Sequence, residues 1–162
     1  MGLLTPLAVR IGAISWMPKL LPQIVWLDKL LQRVTRGRLT ILDIAGLPNV
    51  MLTVIGRKSG LPRSNPLLCV PRDDGILIAG SYFGGPSEPM WVKNMEANPR
   101  VTVRFRRKTQ PMLARRLEGD ERSAAWQHML KTWPNFTKYE ERTPRQIKVF
   151  LLTAAPHESQ ES

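Results

Sequence analysis

Polar and apolar side chains alternate most cleanly in VTVRFRR, residues 101–107. Val101, Val103 and Phe105 fall on one side; Thr102, Arg104 and Arg106 fall on the other. A period of two predicts a strand with one buried face. PMLARRLE (111–118) follows as its hairpin partner. Four more runs rich in β-branched and aliphatic residues read as strands: VMLTVIG (50–56), SNPLLCVPR (64–72), ILIAGS (76–81) and QIKVFLLTA (146–154). Asp74-Gly75 is hairpin-turn chemistry between two of them. Pro66 cannot donate to a ladder, so part of 64–72 belongs at an edge or a bulge.

Helical spacing appears at both ends of this strand-rich body. Ile24, Leu27, Leu30, Leu31 and Val34 recur every three or four residues, with Lys29, Arg33 and Arg36 off the stripe and Pro22 near the start. PMWVKNMEANP (89–99) reads as a short helix and GDERSAAWQHMLKTW (119–133) as a longer one, with Asp120 as its N-cap. Residues 43–49 read as a linker and 134–145, which contain WPNF, as a loop. The expected class is α+β: a mainly antiparallel barrel of about six strands, an N-terminal amphipathic helix and two further helices. The expected divisions are an apolar and basic lead over 1–42, the barrel over 43–155 and a polar tail over 156–162.

Composition sharpens this picture in two places. The chain has 162 residues, enough for one domain, and one cysteine, Cys69, which excludes an internal disulfide and a cysteine-rich zinc site. Its net charge of +11 favours an anionic partner. The lead segment is interrupted by Arg10, Lys19, Asp28 and three prolines, so it holds no charge-free run near the roughly 18–20 residues that span a bilayer. It is a poor signal peptide, because its basic residues follow the apolar ones, and MGLLTP misses the myristoylation pattern. Two readings of residues 1–38 stand side by side. One is a helix packed on the body; the other lies on an anionic membrane surface with Trp16 and Trp26 at the interface. The expected location is cytoplasmic, peripheral at the inner face of the cell membrane on the second reading.

Catalytic chemistry is sparse. The histidines are His128, within a helix, and His157, in the tail. They leave little for a nucleophilic triad. No cluster has metal-ligand spacing, so no metal is expected, and no strand–GxGxxG–helix unit appears. An enzyme of this composition would draw its chemistry from a bound cofactor. The turn GRKSGLPR (56–63) gathers Arg57, Lys58, Ser59 and Arg63, which reads either as a solvated hairpin tip or as a claw for phosphate or carboxylate. Met90 and Trp91 start a helix after Gly84-Gly85, where the backbone can approach a flat ring. Asn65 and Asn94 offer paired donors and acceptors. The plain alternatives are Trp91 as core and Asn94 as helix surface.

Taken together, GRKSGLPRSNPL followed by AGSYFGGPSEPMWVKNMEANPRV resembles the deazaflavin (coenzyme F420)-dependent nitroreductase family, from about Leu47 to about Thr153. The resemblance implies a split β-barrel and reduced F420 as cofactor. By position, Arg57, Lys58 and Ser59 would grip the phosphate and oligoglutamate tail. Arg63, Ser64, Asn65, Pro66, Leu67 and Leu68 would line the deazaflavin and its ribityl chain. Ala79, Gly80, Ser81 and Tyr82, with Met90, Trp91, Val92, Lys93 and Asn94, would complete the site. Two departures stand out. Tyr82 replaces a Lys of the best-studied branch, and Phe136 replaces a Tyr. Tyr139 and Tyr82 are the candidate proton donors, and Phe136, Tyr139 and Trp26 the candidate substrate contacts.

The implied reaction passes a hydride to an electron-poor conjugated acceptor: a quinone, enone, unsaturated lactone or nitroaromatic. The partner is then a small lipophilic acceptor, and the chain is a monomer or a homodimer. A split-barrel protein using FMN is the nearest alternative. A non-enzymatic nucleic-acid binder built on Arg104, Arg106, Arg107, Lys108, Arg115 and Arg116 is the alternative from another class. No nucleic-acid module is recognisable, and none is expected as partner.

Overall fold

In the computed structural model, residues 5–13, 17–36 and 40–156 are described. Trp16, expected at a membrane interface, lies outside them. The body is one antiparallel sheet of seven strands: β1 (Asn49–Ile55), β2 (Pro62–Leu68), β3 (Val70–Arg72), β4 (Gly75–Ala79), β5 (Arg100–Phe105), β6 (Lys108–Leu117) and β7 (Val149–Ala154). Their order across the sheet is β2-β1-β5-β6-β7-β4-β3. The run 64–72, read as one strand, is two. It breaks at Cys69, and its halves form the two opposite edges of the sheet. One residue therefore joins the edges, so the sheet must curl until they meet, which is barrel closure. Cys69 is fully buried there, and its N–H donates to the Pro48 carbonyl at 3.0 Å. Edge placement of β2 also accommodates Pro66.

Alternation divides two cores. On one face of the strands, Val50, Leu52, Val54, Ile76, Ile78, Val101, Val103, Phe150 and Leu152 fill the barrel. On the other, Leu77, Val149 and Leu151 pack against helices. Each such aliphatic burial stabilises by roughly 1.5–3 kcal/mol. β7 is buried on both faces, so its sequence is continuously apolar. The β5–β6 hairpin turns through Arg106 (φ 48°) and Arg107 (φ 67°). Both occupy the left-handed region that Asn-Gly suits, at a cost of about 1–2 kcal/mol per residue.

The helices exceed the expected three. They are α1 (Thr5–Gly12), α2 (Leu21–Val34), α3 (Ile41–Ile44), α4 (Met90–Ala97), α5 (Gly119–Thr132) and α6 (Asn135–Arg142), besides 3₁₀ turns at Met17–Leu20 and Tyr82–Gly84. The linker expected at 43–49 begins inside α3, which Thr40 and Asp43 start with a reciprocal capping box. The loop expected at 134–145 holds α6, where Phe136 and Tyr139 are apolar anchors three apart. α5 starts one residue ahead of Asp120, after Glu118, with no side-chain cap.

α2 leaves most of its apolar stripe exposed, with Ile24 and Leu31 half-buried. Asp28 faces inward at 7% exposure and accepts the Ile41 N–H at 2.8 Å, at the start of α3, and a bond from the Gln32 amide. Trp26 (64%), Leu27, Leu30 and Val34 (75%) face out. Among the described residues no helix is long and apolar enough to cross a membrane.

Candidate active site

The basic turn lies between β1 and β2. The Gly56 N–H donates to the Leu61 carbonyl at 2.8 Å and the Gly60 N–H to the Gly56 carbonyl at 2.8 Å, with Gly60 left-handed at φ 69°. Ser59 Oγ accepts the Leu61 N–H at 3.2 Å. This pins the loop while Arg57, Lys58, Ser59 and Arg63 stay exposed. Asn94, 6% exposed on α4, reaches across to accept the Arg57 N–H at 3.2 Å. The Arg57 guanidinium donates to the Met90 sulfur at 3.4 Å. Asn94 is thus no surface residue: it ties the claw to the helix.

Charge at the claw is uncompensated. Among the described residues no carboxylate lies within ion-pair distance of Arg57, Lys58 or Arg63. A cluster of like charges with no internal partner fits a polyanionic ligand. Register then divides the expected deazaflavin lining. Opposite residues of an antiparallel pair share a face. Arg63, Asn65 and Leu67 pair with Val54, Leu52 and Val50 and so lie on the barrel side. Ser64, Pro66 and Leu68 pair with Thr53, Met51 and Asn49 on the other. The Ser64 and Thr53 hydroxyls meet at 2.8 Å on that outer face. Six successive side chains cannot line one ligand; the barrel-side three share a face.

The second wall is the loop after β4 and the start of α4. A Cβ on Gly80 would meet Val92 Cγ2 at 2.8 Å, so loop and helix touch. Tyr82, Phe83 and Gly84 are all left-handed, at φ 47°, 54° and 75°. Three successive residues in that region need external support. Two arginines supply it, and nothing in their sequence context marked them. The Arg145 guanidinium donates to the Gly85 (3.2 Å), Gly80 (3.0 Å) and Ser81 (3.0 Å) carbonyls. Desolvation there lowers its pKa, partly offset by Glu88. Arg142 donates to the carbonyls of Phe83 at 3.3 Å and of Ala13, beyond α1, at 2.6 Å. Lys148 locks α4 from below through Glu96 at 2.8 Å and Glu88 at 3.0 Å. These bonds raise its pKa against the desolvation that would lower it.

The remaining expected residues separate. Trp91 is 7% exposed and packs edge-on against Phe150 in the barrel core. Val92 is fully buried, while Met90 (59%) and Lys93 face solvent. Ala79 pairs with Val149 and packs against the second core. Tyr82 is 45% exposed on the loop. Phe136, expected in a loop and against substrate, is a core residue at 3%, tilted on Trp126 at 5.2 Å. Tyr139 is 2% exposed, and its hydroxyl accepts the Trp133 indole N–H at 3.2 Å. Burial pushes its pKa up to about 12, against the smaller lowering effects of that bond and of Arg142. Trp26 stands apart on the outer face of α2.

The fold and this turn define a split-barrel oxidoreductase, and comparison with known proteins gives its family. Residues 28–154 match the F420H(2)-dependent quinone reductase family, and the chain belongs to it. It is 31% identical over 134 residues to an F420H(2)-dependent quinone reductase of Mycobacterium tuberculosis, covering 81% of this chain and 90% of that protein. Among solved structures, an F420-H2 dependent reductase (FDR-A) superposes with TM-score 0.61 at 37% identity, over 65% of this chain and 93% of that one. A chain described as a domain-swapped dimer superposes with TM-score 0.63 at 32% identity, over 78% and 96%. The protein is an F420-dependent oxidoreductase of split-barrel fold, and its cofactor is reduced F420.

Proposed function

We propose that this reductase takes a lipophilic quinone at a membrane surface and that the claw holds the cofactor by its anionic tail. The observation that carries this reading is the uncompensated Arg57, Lys58 and Arg63 cluster, fixed to α4 by Asn94. Reduced F420 supplies the hydride. Arg57, Lys58 and Ser59 bind phosphate and carboxylate groups, where a guanidinium can donate two bonds at once. Arg63, Asn65 and Leu67 flank the ring from β2, and the Gly80–Tyr82 backbone, held by Arg145, flanks it from the other side. The exposed face of α2, Trp26 to Val34, supports contact with lipid, where such an acceptor is concentrated.

Tyr82 is the proton donor in this reading, and Tyr139 is not. Tyr82 is accessible on the loop that meets α4, whereas the Tyr139 hydroxyl is held by Trp133 inside a core. A donor must come within hydrogen-bond reach of the acceptor. Quinone and enone reduction is favoured over nitro reduction, because a nitro group gathers charge on two oxygens and position 82 carries no ammonium to meet it.

The test is titration of the purified protein with F420 and with FMN. It is followed by turnover of reduced F420, read from the deazaflavin absorbance, with a menaquinone analogue, an enone and a nitroaromatic. Tighter F420 binding and fastest quinone turnover are expected. Preferred FMN binding, or a nitroaromatic preference, would overturn the reading.

A further inference from the structure

The outer face of the sheet carries a second basic site that the reductase reaction does not use. A groove of about 1190 Å³ runs between the end of α2 and the outer face of β1 and β5, lined by Val34, Arg36, Met51, Arg104, Arg106 and Arg107. It lies at the Asn49 end of β1, whereas the claw follows the Ile55 end. At about 3.3 Å per residue, Met51 and Arg57 are roughly 20 Å apart along the strand. The two basic sites are therefore distinct.

Three features single the groove out from an ordinary solvated face. Arg36, Arg106 and Arg107 have no carboxylate partner among the described residues. Asp43, which also lines the groove, is occupied: its oxygens take the Thr40 N–H and hydroxyl at 2.8 Å and the Asn49 amide at 2.7 Å. Arg106 and Arg107 fill both central positions of a turn that asks for Asn-Gly, so charge is present where backbone chemistry disfavours it. Finally, Val34 belongs both to the groove and to the exposed apolar face formed with Trp26, Leu27 and Leu30. Cationic groove and apolar strip thus follow one another along a single surface.

From this juxtaposition we infer that the groove is a headgroup site for an anionic phospholipid, with the α2 strip seated among the acyl chains beside it. It rests on the membrane-surface reading above and adds to it a selective phosphate contact on the body of the protein. Arg36, Arg106 and Arg107 donate charge-assisted hydrogen bonds to the phosphodiester, and bidentate geometry favours phosphate over a diffuse negative surface. A nucleic acid would use the arginines but leave the apolar strip without a role. The lipid uses both.

The test exploits the turn. Arg106→Asn with Arg107→Gly installs the preferred turn residues while deleting two charges, so the hairpin is retained. A control, Lys131→Ala with Lys138→Ala, deletes two exposed charges elsewhere. Sedimentation with vesicles of phosphatidylcholine alone and with added phosphatidylglycerol is measured at fixed ionic strength. Wild type is expected to prefer the anionic vesicles. The turn variant should lose roughly 10- to 30-fold of that affinity, and the control much less. Equal losses in the two variants, or equal wild-type binding to both vesicle types, would overturn the headgroup site and leave the membrane reading intact. No vesicle binding at all would overturn both, while F420 turnover of a short-chain quinone in free solution still reports the reductase. Protection of the hairpin by inorganic phosphate without vesicle binding, or salt-sensitive retention of an oligonucleotide in place of vesicles, would reassign the groove.

Discussion

The backbone N–H of Arg57 donates to the side-chain oxygen of Asn94 at 3.2 Å, across 37 residues of sequence. It fixes the basic turn against the helix that forms the other wall of the site. Asn94→Ala should cost about 1–2 kcal/mol of stability and on the order of tenfold in F420 affinity. Asn94→Asp keeps an acceptor but places a carboxylate beneath the claw. It should lose some stability, because the position is 6% exposed, and bind the polyanionic cofactor more weakly than Asn94→Ala does. Equal cofactor affinity in wild type and both variants would mean that the link is ornamental to binding.

Direct loss of the cations should act more strongly. Arg57→Ala and Lys58→Ala each remove charge-assisted hydrogen bonds worth about 1.5–3 kcal/mol, which is about ten- to a hundredfold in cofactor affinity. Both side chains are exposed, so the melting temperature should barely move. Fluorescence titration with F420 at two salt concentrations checks this, because the wild-type affinity should fall with salt more steeply than that of the double variant.

Legibility in the sequence followed how local the cause was. VTVRFRR shows its strand because one face is buried and the other wet, and GRKSG shows its turn because glycine and charge mark it. β7 could be placed but not explained, since Val149 to Leu152 serve two cores and erase the alternation. The Cys69 break was invisible, because closure of a barrel depends on the whole sheet order and not on residues 64–72. α6 resembles a loop in sequence although Phe136 and Tyr139 sit at helical spacing, because Pro134 precedes it and the residues between them are polar. Thr40 and Asp43, three residues apart, carry the start of α3 in the sequence itself. Arg142 and Arg145 left no signal at all, since they bind backbone carbonyls, which carry no sequence. The amphipathic stripe of α2 was real, but its direction depended on Asp28 finding the Ile41 N–H.

Gly84 and Gly60 separate backbone strain from collision. Both have positive φ, at 75° and 69°. A Cβ on Gly84 would lie 2.5 Å from the Tyr139 carbonyl oxygen, whereas one on Gly60 meets nothing within 4 Å. Gly60→Ala should therefore cost about 1 kcal/mol, the penalty of a left-handed alanine. Gly84→Ala should cost several times more, since loop or α6 must shift. Urea unfolding midpoints of the two variants test the ordering.

Cys69 predicts an alkaline weakness. Burial pushes its thiol pKa up to about 12, slightly opposed by the Arg106 charge. A folded value raised above the unfolded one means that the stabilisation is complete below about pH 9. It is lost as pH rises towards 12, because the unfolded thiol releases its proton first. The full loss is about 4 kcal/mol, and its onset between pH 9 and 10 precedes that of Tyr139. Cys69→Ala should flatten this part of the stability curve while lowering its plateau. In the native protein the thiol should resist a disulfide reagent until the chain unfolds.

Burial separates Tyr82 from Phe136. Tyr82 is accessible and Phe136 is sealed at 3% exposure against Trp126. Phe136→Tyr would bury a hydroxyl among the Trp126 and Tyr139 rings, costing about 1–3 kcal/mol of stability. It should leave the ratio of nitro to quinone turnover unchanged. Tyr82→Lys changes the electrostatics at the loop instead. A cation there meets the charge that hydride transfer builds on nitro oxygens, and one charged hydrogen bond formed in the transition state is worth about 1.5–3 kcal/mol, or ten- to a hundredfold. Tyr82→Phe should lower quinone kcat while leaving F420 affinity in place, and the loss should deepen as pH rises and solvent protons become scarce. These are read as kcat/KM on a quinone and a nitroaromatic for the three variants. A change of preference in Phe136→Tyr, with none in Tyr82→Lys, would move the acceptor site away from the 80–85 loop and towards α6.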